Sequence, residues 1–216
     1  MLDDSEVQQG VLAELAWDPR INATHIGVKA NYGVVTLTGH VESFAEKCAA
    51  EEAARRVNGV KALAEELEMR LPYDRKRGDD QIAAAAIESL ASDVSVHDGM
   101  IIVNVDNGWI TLTGQVDWHF QREAAEQDVR RLSGVVGVSN ETTIRSVVDT
   151  WDISEKITQA LHRSSFYDPK AVKVTADGGK VLLTGSVRSL DDRKLAEATA
   201  WAAAGVTTVE DSLEII

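Results

Sequence analysis

Apolar residues recur along the chain in three sets with the same order of spacings. The first set in each copy is Val7, Val11, Leu12 and Leu15, then Ile82, Ala86, Ile87 and Leu90, then Ile153, Ile157 and Leu161. Steps of three and four residues predict a helix with one buried face. Asp4, Asp80 and Asp152 stand near the starts, where a carboxylate suits the helix dipole. Alternating positions follow and predict a strand: Ile26, Val28 and Ala30; Ile101, Val103 and Val105; Val172, Val174 and Ala176. Next come Asn31-Tyr32-Gly33, Asp106-Asn107-Gly108 and Asp177-Gly178-Gly179, a turn pattern in which Asn or Asp closes the turn through its side chain and Gly supplies positive φ. A second strand completes an antiparallel hairpin. A second helix is predicted from Ala50, Ala54 and Val57, from Ala125, Val129 and Leu132, and from Ala196, Ala200 and Ala203.

The second strand carries Val35-Thr-Leu-Thr-Gly39-His-Val41, Ile110-Thr-Leu-Thr-Gly114-Gln-Val116 and Val181-Leu-Leu-Thr-Gly185-Ser-Val187. A Gly-Val pair follows each of these glycines at a fixed distance, at Gly59-Val60, Gly134-Val135 and Gly205-Val206. The offsets between copies are 75 and 71 residues, longer than a solenoid repeat, so the copies are tandem domains. Gly39, Gly114 and Gly185 read as backbone requirements. Gly59, Gly134 and Gly205 suit left-handed C-caps after the second helix. Ser43 and Glu46 have capping-box spacing, and Ser189 is placed to cap the third copy's helix. A last strand is expected from Val60, Val135 and Val206, with Leu67 and Met69, Thr142 and Ile144, and Leu213 and Ile215 facing inward. The fold class is therefore α+β: three tandem αββαβ modules over residues 1–72, 79–146 and 150–216, each a three-stranded mixed sheet with two helices on one face. Each module has the elements to close its own core, so the three are expected to fold independently.

The turn, the Leu-Thr-Gly strand, the Ala-rich second helix and the Gly-Val pair, in register three times, resemble the BON domain, named from bacterial osmotically induced and nodulation-related proteins. The resemblance covers nearly the whole chain. It implies the αββαβ fold, no catalytic activity, binding to phospholipid or other envelope components, and a link to osmotic or envelope stress. It implies a non-catalytic binding or scaffold role. The alternative weighed beside it is a chaperone-like protein that shields client polypeptides.

Charge narrows the partners. The chain has 22 basic and 35 acidic residues, a net charge of −13, which opposes nucleic acid and anionic lipid at long range. The net charge is −5 over residues 1–75, −6 over 76–149 and −2 over 150–216, so the third module is the least repulsive. No apolar run approaches the ~18 residues of a membrane span. The start, Met1-Leu2-Asp3-Asp4, lacks the basic and apolar segments of a secretory leader, which predicts a cytoplasmic location, or a periplasmic one if a leader has been removed.

Chemistry-bearing residues do not repeat. Cys48 is the single cysteine, and its counterparts are Glu123 and Lys194. The histidines, His25, His40, His97, His119 and His162, show no metal-ligand spacing, and neither phosphate-loop pattern occurs. No catalytic residue, metal or cofactor is expected. The candidate contact residues are Lys170, Lys173 and Lys180, read as one exposed basic face of the third module, and Trp109 with Trp118, read as an adhesive patch on the second. A phospholipid or a protein is the expected partner.

Overall fold

A computed structural model describes residues 3–96, 99–145, 153–163 and 171–216. His97, Trp151, Asp152 and Lys170 lie outside the described residues. The first module runs α1 (Asp4–Trp17), β1 (Ile26–Asn31), β2 (Val34–Val41), α2 (Phe44–Arg56), β3 (Ala62–Met69). The second runs α3 (Asp79–Ser92), β4 (Ile101–Asp106), β5 (Trp109–Val116), α4 (His119–Arg130), then β6 (Gly137–Asn140) and β7 (Thr143–Ile144). The third runs α5 (Ile153–His162), β8 (Val172–Asp177), β9 (Lys180–Val187), α6 (Leu190–Trp201), β10 (Thr208–Ile215). In each sheet the middle strand pairs antiparallel with the strand before it and parallel with the one after the second helix. The expected α+β fold class, three αββαβ modules with mixed sheets, is the one found.

The cores repeat position for position in the first helix and the middle strand. The first helices bury Val7, Val11 and Leu15, then Ile82, Ala86 and Leu90, then Ile153, Ile157 and Leu161. Leu12 and Ile87, placed by their spacing on the buried face, are instead exposed. The middle strands bury Val35, Leu37 and Val41, with Ile110, Leu112 and Val116, and Val181, Leu183 and Val187, in the same places. Gly39, Gly114 and Gly185 hold φ of +115°, +135° and +123°. A side chain there would collide with the carbonyl of His25, Met100 or Ala171, because the chain entering the first strand passes directly over the glycine. Gly59, Gly134 and Gly205 take φ of +91°, +91° and +87° after the second helices.

The hairpin turns are closed from outside. Tyr32-Gly33 and Asn107-Gly108 all have positive φ, the two-residue type I′ geometry. The amides of Tyr32 and Gly33 donate to the Asp4 carboxylate at 2.8 and 3.1 Å, and those of Asn107 and Gly108 donate to Asp79 at 2.9 and 2.8 Å. The latch is thus the first helical residue of α1 and α3, and the counterpart of Asp4 is Asp79 rather than Asp80. A carboxylate at this position answers two turn amides while lying at the positive end of its helix.

The last strands begin two residues after the Gly-Val pair, not on it. The three valines are buried in the preceding loop, at 0%, 1% and 4% exposure. Pairing opens where the turn glycine's carbonyl accepts from Lys61, Val136 or Thr207, at 2.8, 3.0 and 2.8 Å. A clasp ties each last strand to its second helix. Lys47 pairs with Glu65 at 2.8 Å, Arg122 donates to the Asn140 carbonyl at 2.8 Å, and Arg193 pairs with Asp211. In every module the clasped strand residue also accepts the amide two residues on, from Leu67, Thr142 or Leu213. The second module departs here. Thr142 occupies the place of Leu67 and Leu213, and its hydroxyl donates to Asn140 Oδ1 at 2.6 Å. The strand is interrupted at that point into β6 and β7, so this sheet has four strand segments where three strands were expected.

Ser43 and Ser189 cap α2 and α6, accepting from Glu46 and Asp192 at 3.1 and 3.0 Å. The Glu46 carboxylate does not return to Ser43. It accepts from the amides of Asn22 and Glu42, both at 2.8 Å, and so joins α2 to the loop after α1.

The chain forms two compact units, residues 1–116 with 121–143, and 117–120 with 144–216. The first unit holds most of two modules. In it, Phe44 at the start of α2 packs on the second module's core, and Arg130 of α4 pairs with Glu52 of α2 at 3.0 Å. The second core therefore draws on a residue of the first module.

Two outcomes follow. Asp79→Ala leaves two turn amides without their carboxylate and should cost about 1.5–3 kcal/mol, since bonds to a charged group fall in that range, read as a lower denaturant midpoint. Phe44→Ala should lower the unfolding temperature of the second module as well as the first, and a fragment of residues 79–146 should melt below the same module in the full chain. Calorimetry on the three proteins checks this, and an unchanged second-module transition would contradict it.

Candidate interaction surfaces

Three of the predicted contact residues, Lys173, Lys180 and Trp109, fall on outward positions of the sheets. On β8 and β9, Lys173 lies across from Thr184 and Lys180 across from Asp177. Both lysines are exposed and on one sheet face. They stand four residues apart along β9, about 13 Å at the rise of a strand. Asp177 neighbours Lys180 across the hairpin, and Glu210 and Glu214 on β10 pair beside Leu182 and Ser186 on the same face. The two lysines are therefore interleaved with carboxylates and do not form a continuous basic patch. Lys170, the third residue of this set, lies outside the described residues.

Trp109 opens β5, and its ring lies flat on Gly137 of β6, where any Cβ would meet the indole. Its Nε1–H donates to Ser139 Oγ at 2.9 Å, and 48% of the residue stays exposed. Trp118 follows the far end of the same strand. Trp109 is the first residue of β5, and Trp118 comes two residues after its last.

The loop after the first helix carries a contrast that the sequence pattern did not reveal. In the first module Asp18 accepts from Arg20 Nε at 3.0 Å, pairs with Arg20 at 2.7 Å and lies 3.7 Å from Arg56. The Arg20 hydrogen bond holds its carboxyl down at about 2, against the effect of burial. In the second module the equivalent Asp93 accepts from the Ser95 amide at 2.7 Å. Asp128 of α4 faces it there with one carboxylate oxygen buried and unpaired. Burial first, and the charge of Asp93 second, push the Asp128 carboxyl above its usual range. His25 and His40 stack at 4.4 Å, and among the described residues no group of three potential metal ligands converges. Cys48 is half-buried, and burial pushes its thiol up, which disfavours the reactive thiolate.

These carboxyls give opposite pH responses. Asp18 is lowered in the fold, so its stabilisation is present above its unfolded value of about 3.9 and is lost as pH falls toward 2. Asp128 is raised, so its contribution is full below its unfolded value and is lost as pH rises through the folded one. Asp128→Asn should therefore raise the unfolding temperature at pH 7 and leave it nearly unchanged at pH 3. Asp18→Asn should lower it at pH 7. Thermal melts at both pH values test the pair.

Comparison with known proteins bears on the whole repeat. The BON domain family model matches residues 3–70, 78–146 and 149–216. Osmotically-inducible protein Y of Escherichia coli (strain K12) is 33% identical over 147 residues, which is 65% of this chain and 72% of that protein. Among solved structures, CdsD, a structural protein of the type III secretion system of Chlamydia trachomatis, aligns over 96% of this chain and 91% of its own at 15% identity, with a TM-score of 0.27. A second CdsD structure, of the C-terminal domain, aligns over 100% of both chains at 14% identity and a TM-score of 0.27. At that superposition the CdsD likeness carries no inference. The family pattern fills almost the entire sequence three times over, and this chain belongs to the BON-domain family.

Proposed function

We propose that the protein is a non-catalytic binding protein of osmotic-stress adaptation, whose three BON domains present their outer sheet faces to phospholipid or another envelope component. The similarity to an osmotically inducible protein over 147 residues is the observation that carries this reading. The repetition supports it further, since three weak contacts on one chain bind more tightly than any one of them. The third domain is the favoured contact because its net charge of −2 is the least repulsive. Its lysines act singly at this surface, each contributing on the order of 1 kcal/mol near an anionic bilayer.

Loss of the gene should slow growth after a hyperosmotic shift, and the protein's abundance should rise under the same shift. Flotation with vesicles of mixed lipid charge tests the ligand. Binding to anionic vesicles at low salt should fall when Lys170, Lys173 and Lys180 are changed together to Glu. Undiminished flotation of that variant would exclude the third domain's face.

A further inference from the structure

The second module differs from its sisters along one edge. One edge strand of each sheet is the first one, β1, β4 or β8. Lys29 stands exposed on β1 and Lys173 on β8. An edge lysine of this kind discourages another strand from adding to the sheet. On β4 there is no lysine. The position equivalent to Lys173 is Ile102, which is 67% exposed. The inward side of this edge is also open. Ile26 and Val28 of β1 are 5% and 6% exposed, whereas Ile101 and Val103 of β4 are only half-buried. Beside them Ile87 of α3 is 61% exposed, and an apolar cleft runs between Ile87 and Ala91 on the helix and Ile101 and Val103 on the strand.

Charge selects the occupant. The helix and strand that wall the cleft carry four acids, Asp79, Asp80, Glu88 and Asp106, and no Lys or Arg. A second copy of this chain, with its net −13, would bring like charge to an acidic rim. An anionic lipid surface would be repelled for the same reason. An edge strand offers what an acyl chain cannot use, the N–H and C=O groups of alternate residues that turn away from β5. We infer that β4 of the second module is a docking edge for an extended polypeptide segment of alternating apolar and basic residues, which adds to the sheet as a further strand. Its apolar side chains enter the cleft beside Ile87, and its basic ones, turned to the other face by strand alternation, lie over Ile102 and Asp106 in a module of net charge −6. This site goes beyond the osmotic-stress reading and does not depend on it, because no lipid contact enters the argument.

The probe is a fluorescein-labelled peptide of about eight alternating Val and Lys residues, the length of an ordinary strand. It is titrated against the full chain by anisotropy, with amide NMR shifts recorded in parallel. The expected result is saturable binding, with shifts concentrated on β4 residues 101–106. Ile102→Lys, a change at an exposed site to the residue type the third module carries, should weaken binding by about tenfold or more while the melting temperature stays unchanged. Methylating alternate backbone nitrogens of the peptide keeps its charge and removes strand pairing, and should weaken binding as much. Binding that is equal for the methylated peptide or for Ile102→Lys would reduce the effect to charge alone and overturn the proposal. So would absence of binding at about 1 mM peptide. Two further outcomes would also overturn it by naming another occupant: β4 shifts produced by lipid vesicles and not by the peptide, or concentration-dependent self-association of the free chain that Ile102→Lys abolishes. Neither failure would alter flotation through the third domain, so the two readings are separable.

Discussion

In every module the middle strand is hydrogen-bonded along both edges, and it buries side chains from one of its faces. The other elements are placed by what this strand permits. The chain entering the strand before it crosses directly over Gly39, Gly114 or Gly185, an approach that only a residue without Cβ allows. The turn that opens the middle strand serves two neighbours at once. Its amides receive the helix carboxylate of Asp4 or Asp79, and its glycine carbonyl receives the first amide of the parallel strand. In the first two modules helix, hairpin and crossover strand therefore meet at one turn.

On that shared frame the second module is the one that has diverged. Thr142 replaces a core leucine and breaks the last strand, and Asp128 faces Asp93 where the first module sets arginines around Asp18. Its edge strand is half-open and bears an exposed isoleucine in the position that carries a lysine in the third. Phe44 from the neighbouring module completes its core. Thr142 and Phe44 substitute a polar and a borrowed contact for internal apolar ones, and a locally less self-sufficient module is the physical setting in which an edge stays available for a partner.

Electrostatics set the limits of what such a chain can touch. A net charge of −13 disfavours broad adhesion to anionic surfaces, and the exposed lysines of the third sheet are spaced among carboxylates. On the readings proposed above, contacts by this BON-domain protein are local, and either repeated across modules or made to cationic segments. The acidic walls of α3 and β4 fit the second case and the outer sheet of the third module the first.

The sequence alone determined the architecture. Three copies in register place the Leu-Thr-Gly strand, the turn and the paired glycines without ambiguity, because period-two and period-3.6 burial leave direct marks on residue order. It also located the core, apart from Leu12 and Ile87, whose helical spacing fits a buried stripe but which the fold leaves exposed. Long-range polar pairing was decided by the tertiary structure. Asp79 rather than Asp80 reaches the second hairpin, Glu46 turns to Asn22 instead of Ser43, and Lys47 finds Glu65, since partners about 20 to 30 residues apart leave no period in the chain. The same holds for the surfaces. Trp109 and Trp118 look adjacent in sequence and stand at opposite ends of a strand, and the lysines of the third module share a face with acids from a strand thirty residues on. Exposure at β4 is a property of what fails to cover it, and only the folded chain shows which side chains were left uncovered.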